Sequence, residues 1–389
     1  MAKAPAAVQA WLDAWRPACR ARSMRFVSET GYVVDDVYIA SVYVQVWPPD
    51  KDFDRVRISH VFNIKPLAVD DILWAAFMPS SVKMGKQMRL NRRINGSCQI
   101  HALELERQHR DLRADDPVDW GPLLDQFDCA RKQFIETYPT VADYVTALVN
   151  PAIRTGANRE LTRMTASLIA AGRNAEAAQF ADEALARGES GSMSSTVDVL
   201  KYLSAYAKGP ETFSEFRRSL APTHDYSVIN HTRPSSNTTL CREHHQGSMR
   251  RTLASFDGSD PWAITLAARP PAGAPVDNST LRYLQAAGSA EAMVVEICEP
   301  GGAEHGCVAV RSILGHQIEG PTPGDVDIQL PEDTQVIRGN EVFTADEAAD
   351  MFETYYRTGN IGGSYVRRPV EGYTLDGRQV PLANDGEDQ

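Results

Sequence analysis

Residues 344–359, TADEAADMFETYYRTG, read as a helix with both ends specified. Thr344 stands at the N-cap position, and Glu347 three residues on completes a capping box. Asp346 and Glu347 lie at the positive end of the helix dipole, Arg357 lies near the negative end, and Gly359 can take the left-handed turn that stops it. Ala348, Met351, Phe352 and Tyr355 share one stripe, while Asp346, Asp350 and Glu353 share another, as spacings of three and four require. An amphipathic helix must bury its stripe against something. The neighbouring segments MVVEIC (293–298), CVAVRSIL (307–314), DVDIQL (325–330), TQVIR (334–338) and SYVRRPV (364–370) are short and partly alternating, so they predict strands. Strands and helices that run in separate blocks make an α+β domain with an antiparallel sheet. A short helix over 279–287 is expected to open it.

Charge sets this part of the chain apart. Residues 266–389 hold 20 Asp and Glu against 8 Arg and no Lys, whereas residues 1–265 hold 32 Lys and Arg against 31 Asp and Glu. The formal charge of −11 therefore sits in the last third. Such a balance disfavours nonspecific contact with nucleic acid or anionic lipid and favours solubility or a basic protein partner.

Working toward the N-terminus, residues 221–278 are rich in Pro, Ser, Thr, Asn, Gly and Arg and are expected to form a flexible connector. Residues 121–220 are predicted almost wholly helical, with a helical hairpin around Gly172-Arg173-Asn174. That hairpin has the small-residue packing of a tetratricopeptide pair, but no second copy follows at a fixed period. The first 80 residues predict an opening helix with Val8, Leu12 and Trp15 on one face. Two strands over 37–47 and 55–64 follow, paired through a turn at 50–54, and then a helix over 67–77. The apolar pattern slips between Ile58 and Phe62, which implies a bulge or twist. Residues 81–93 carry Lys83, Lys86, Arg89, Arg92 and Arg93 with no aromatic residue among them, as suits a solvated stripe better than a single-strand binder. The organisation expected is an α+β domain at 1–150 built on a hairpin sheet, a helical bundle at 151–220, the connector at 221–278, and a smaller acidic α+β domain at 279–389.

At 389 residues the chain is long enough for two or three domains. No run approaches the roughly 18 apolar residues of a membrane span, and the first 23 residues lack the apolar centre of a signal peptide, so no membrane is expected and a cytoplasmic location is. Cys19, Cys98, Cys129, Cys241, Cys298 and Cys307 are scattered, in contrast to a disulfide framework.

Motifs that could carry chemistry are few. No phosphate loop, dinucleotide fingerprint or nucleophile elbow occurs, and no cofactor is expected. The stretch NTTLCREHH (237–245) looks like the closing half of an HNH nuclease motif. In that reading His224 activates water, Asn237 precedes a short helix, and His245 holds a divalent metal that polarises a phosphodiester. The chain lacks the usual Asp-His pair upstream, the stiffening CxxC pairs and a basic surround. Cys241-x-x-His244, with His245, also has the spacing of a structural zinc half-site, which Cys298, His305, Cys307 or His316 would complete. Asp325 and Asp327 share a strand face and read as a solvated pair.

The stretch EVFTADEAADMFETYYRTGNI, continued by SYVRRPVEGYTLDG (341–377), resembles a group of immunity proteins from bacterial polymorphic toxin systems. The similarity extends back to about residue 279 and carries no catalytic motif. It implies a protein that binds and neutralises a toxin domain without catalysis. Asp346, Asp350 and Glu353 would meet a basic toxin surface, with Tyr356, Tyr365 and Tyr373 as aromatic anchors. A metal-dependent nuclease and a scaffold without a toxin partner are the other two functional expectations. Oligomeric state is not legible.

Overall fold

The structure is a computed structural model. It describes residues 6–27, 29–47, 55–77, 101–113, 116–150, 160–191, 197–244, 247–270, 273–274, 277–321 and 323–382. The expected turn at 50–54, the basic stripe at 81–93, His245 and the tail from Asn384 lie outside the described residues. The architecture is α+β, as the sequence predicts. The chain divides into two compact units, residues 1–216 and 217–389. Among the described residues, no helix is long and apolar enough to cross a membrane.

The first unit opens with helix α1 (Ala6–Ala21) and a five-stranded antiparallel meander in sequence order. Its strands are β1 (Arg25–Val27), β2 (Thr30–Val34), β3 (Tyr38–Trp47), β4 (Arg55–Pro66) and β5 (Leu103–Arg113). The pairing of β4 with β5 shifts register between Phe62 and Asn63, at the end of the slip the sequence shows. One sheet face, with Tyr38, Val42, Phe62 and Ile64, buries itself under α1 and α3 (Gly121–Thr137). Trp11 and Trp15 of α1 both pack on Trp120 at the start of α3. Helices α2 (Leu67–Phe77) and α4 (Val141–Val149) tie the sheet to a bundle of α5 (Glu160–Ala170), α6 (Asn174–Ala186) and α7 (Val199–Ala207). Val69, Leu73, Val145, Leu168 and Leu203 share one apolar cluster, so α5, α6 and α7 fall in one unit with the sheet. Lys65 at the end of β4 and Asp70 in the first turn of α2 form an ion pair of 2.9 Å with both side chains buried.

The second unit corrects the domain expectation. Residues 221–278, expected as a flexible connector, supply β6 (Pro222–Ile229), β7 (Ser236–Cys241), α9 (Ser248–Leu253) and β8 (Ala263–Ala268), which follow α8 (Pro210–Ser219). The prolines and polar residues that suggested a linker serve the turns and an exposed edge hairpin instead. The helix expected over 279–287 is also absent. Its residues form a short 3-10 turn and β9 (Tyr283–Gly288), because β8 and β10 hydrogen-bond it on both sides. Tertiary pairing there overrides a stretch of weak local preference. The lysine-free part of the chain coincides with this unit, since Lys208 is the last lysine.

The remaining strands are β10 (Met293–Pro300), β11 (Ala309–His316), β12 (Val326–Gln329), β13 (Thr334–Ile337), β14 (Val342–Phe343), β15 (Tyr365–Tyr373) and β16 (Gln379–Pro381). The large sheet runs β16-β15-β11-β10-β9-β8-β6-β7, with β14 beside β10 and the pairs antiparallel. Helix α10 (Ala345–Thr358) carries the expected capping box between Thr344 and Glu347, and Gly359 terminates it at φ 71°. Its stripe of Ala348, Met351, Phe352 and Tyr355 packs on one sheet face, against Leu266, Leu284, Val295 and Leu314. Helix α9 lies beside α10 through Met249 and Leu253.

Candidate functional site

The strand registers put a second set of side chains on the helix-free face. One row runs Ile229, Ala263, Ala287 and Val294 across β6, β8, β9 and β10. The next runs Asn237, Ser227, Thr265, Gln285 and Glu296, beginning on β7. A third runs Ala267, Tyr283, Cys298, Arg311 and Glu371 and reaches β15. The β12–β13 hairpin closes one end of this face, where Ile328 and Ile337 cluster with Val294 and Ile313.

A cavity of about 130 Å³ opens between the first two rows, with Trp262 at its wall. Its polar end is Glu296, only 5% exposed, together with Thr265 and Gln285. The Gln285 amide donates to Glu296. Arg311 donates from Nη1 to both Glu296 oxygens, at 2.8 and 2.9 Å, and from Nε to Glu371 at 3.0 Å. Tyr373 donates to Glu371 at 2.8 Å, and its oxygen lies 3.0 Å from that of Tyr283. Burial works against the charge on Arg311, yet Glu296 and Glu371 beside it hold its pKa above the ordinary arginine value. Burial also pushes the Cys298 thiol up to about 12, so it is no nucleophile near neutrality. Two carboxylates share one guanidinium, which leaves this half-buried cluster with one excess negative charge.

The structure disperses the nuclease constellation. His224 pairs across from Leu240 and Asn237 from Ser227, so the two stand on opposite faces of the β6–β7 hairpin. His224 turns inward, 7% exposed, and its ring packs on Tyr355 and Tyr356 of α10. A histidine in that position cannot reach a water activated near Asn237. His244 of the zinc half-site shares a hydrogen bond of 2.8 Å with Ser248, and the Cys241 carbonyl accepts from Tyr356. Among the described residues, no group of three or more His, Cys, Asp and Glu is placed to hold a metal ion.

The residues expected to face a partner are mostly engaged within the unit. Asp346 and Asp350 clamp Arg250 of α9, and Glu353 accepts from the Gly247 amide and pairs with Arg357. Tyr356 is tied to Cys241, and Tyr365 packs against Phe343 and His316. Of the six, Tyr373 alone joins the polar cluster on the helix-free face. Sequence reading missed Tyr283, Gln285, Glu296 and Arg311. The signal was present in Glu296 and Arg311 interrupting otherwise apolar strands, and the helix expected over 279–287 hid the other two.

Asp257, Asp260, Asp277, Glu291 and Glu319 make no ion pair among the described residues, and neither do four acids of one hairpin. Asp325, Asp327, Glu332 and Asp333 sit on and beside the β12–β13 hairpin, all exposed. Val336, paired across from Asp327, is 62% exposed on the same outer face. The hairpin packs beside the cavity, because Ala287 and Val294 belong to both.

No family model, no curated protein and no solved structure matches this chain.

His224 makes the second unit sensitive to acid. Burial lowers its pKa below 6.5, with Asp225 pulling weakly the other way. The unfolded chain therefore binds a proton that the folded unit resists. The cost is absent above about pH 6.5 and grows as pH falls below it, with a slope no steeper than about 1.4 kcal/mol per pH unit. Urea denaturation at pH 7.5 and 5.5 should show the loss, and His224→Phe should reduce it. His60 of the first unit acts in the same direction, again mainly through burial, so a comparison of the two proteins isolates His224.

Proposed function

We propose that the second unit is a non-catalytic binding module that neutralises a basic toxin domain in the cytoplasm, in the manner of the immunity proteins that residues 279–377 resemble. The observation that carries this reading is the unit's uncompensated charge. Residues 217–389 hold 24 acidic side chains, 14 arginines and no lysine. Arg250, Arg269, Arg311, Arg357, Arg367, Arg368 and Arg378 are each paired with acids of the same unit. Part of the excess, Asp325, Asp327, Glu332 and Asp333, gathers on and beside the β12–β13 hairpin with the exposed Val336. Exposed carboxylates around an apolar contact suit a basic protein surface, since they steer encounter and suppress wrong partners while the apolar residue is buried. This moves the partner surface from the α10 acids, which hold Arg250, to the hairpin.

Co-expression tests the reading. The full chain is produced with a candidate basic toxin domain, and growth is followed. Restored growth together with a complex that co-purifies is the expected result. Growth arrest in cells that contain abundant folded protein would remove it.

A further inference from the structure

We propose that the cavity on the helix-free face of the second unit binds an alkylammonium group, supplied as a lysine side chain of the basic partner; the lysine assignment rests on the function proposed above. Size comes first. At about 130 Å³ the cavity is well below the roughly 300–1,000 Å³ of pockets that hold whole small-molecule ligands, so it fits one side chain. Its chemistry is divided along its length. Ile229, Trp262 and Val294 offer an apolar wall that matches a four-carbon stem. Thr265, Gln285 and Glu296 stand together at the polar end.

That end suits an ammonium in three respects. The amide of Gln285 is turned so that its nitrogen donates to Glu296, which leaves its carbonyl oxygen as an acceptor. With the Thr265 hydroxyl and the Glu296 carboxylate, the cavity presents three acceptors, equal to the three donors of an ammonium. The Glu296–Arg311–Glu371 cluster carries one excess negative charge in a half-buried setting, where a cation is attracted more strongly than at an open surface. The indole of Trp262 adds an aromatic wall beside which a cationic group is favoured. An anion would meet Glu296, and a neutral alkyl group would leave the acceptors unmatched. The hairpin acids beside the cavity draw a basic surface toward this position.

The full chain labelled with ¹⁵N provides the test, with n-butylammonium chloride as the probe. Trp262 is the single tryptophan of residues 217–389, and its indole resonance is identified by its loss in Trp262→Phe. The expected result is a saturable shift of that resonance, at constant ionic strength, which 1-butanol does not reproduce. Glu296→Gln keeps the shape but removes the charge, and should weaken the response about tenfold. Ala287→Leu should fill the cavity and abolish it. A missing shift, an equal response to butanol, or a shift that survives Ala287→Leu would overturn the site. Competition then separates the sources of the group. If butylammonium displaces the toxin domain more than sodium chloride of equal ionic strength does, the lysine assignment holds. If the toxin domain binds Ala287→Leu as it binds the unaltered chain, that assignment fails while the binding function stands.

Discussion

Asp70→Ala will destabilise the first unit by about 3–5 kcal/mol, enough to unfold much of a marginally stable domain. Lys65 is fully buried, Asp70 is 2% exposed, and the 2.9 Å contact between them balances a charge that water cannot reach. Removing the carboxylate deprives an ammonium inside the protein of a counter-charge at 2.9 Å, at the point where β4 turns into α2. The pair itself is a weak source of stability, because both ions were desolvated to make it. Replacing both at once, Lys65→Met with Asp70→Leu, should therefore recover most of the loss. Urea denaturation followed by circular dichroism measures both variants. A loss below about 1 kcal/mol for Asp70→Ala would show that water reaches the pair.

Phe352→Ala will destabilise the second unit by a similar amount, about 3–5 kcal/mol. Phe352 is fully buried on the stripe of α10 and meets the sheet with Met351 and Tyr355. Truncation loses the burial of the ring and leaves a cavity that a close-packed interface closes only in part. The Trp262 indole resonance reports this unit without interference from the five tryptophans at 11, 15, 47, 74 and 120, so denaturation can be followed there. Phe352→Leu should cost far less, since most of the volume remains. Equal losses for the two variants would point to a role other than packing.

Local signals were legible where one element decides its own fate. The helix at 344–359 announced its caps, stripe and stop, and α10 uses all of them. The slip between Ile58 and Phe62 announced a bulge or twist, and the register of β4 with β5 shifts just after it, between Phe62 and Asn63. What escaped was long-range pairing. Nothing within residues 222–241 says that two polar, proline-flanked segments add strands to the edge of a sheet whose centre lies 60 residues further on. The same blindness placed a helix over β9, where Ala286 and Ala287 suit either state until β8 and β10 claim the backbone. The cavity escaped for this reason as well, because its walls come from β6, β8, β9 and β10 and exist only in register. The acidic character of the last part of the chain was legible as a sum. Its distribution was not, since only the fold shows that Arg250 takes Asp346 and Asp350 while Asp325, Asp327, Glu332 and Asp333 make no ion pair among the described residues.

Titration calorimetry of the full chain with the basic toxin domain proposed as its partner tests the central claim most directly. It compares the unaltered protein with a variant in which Asp325, Asp327, Glu332 and Asp333 are replaced by Asn or Gln, at low and at high salt. Tight binding that weakens by about tenfold or more in the variant, with a reduced salt dependence, is the predicted result. Absence of binding by the unaltered protein, or equal affinity for both proteins at both salt concentrations, would contradict it.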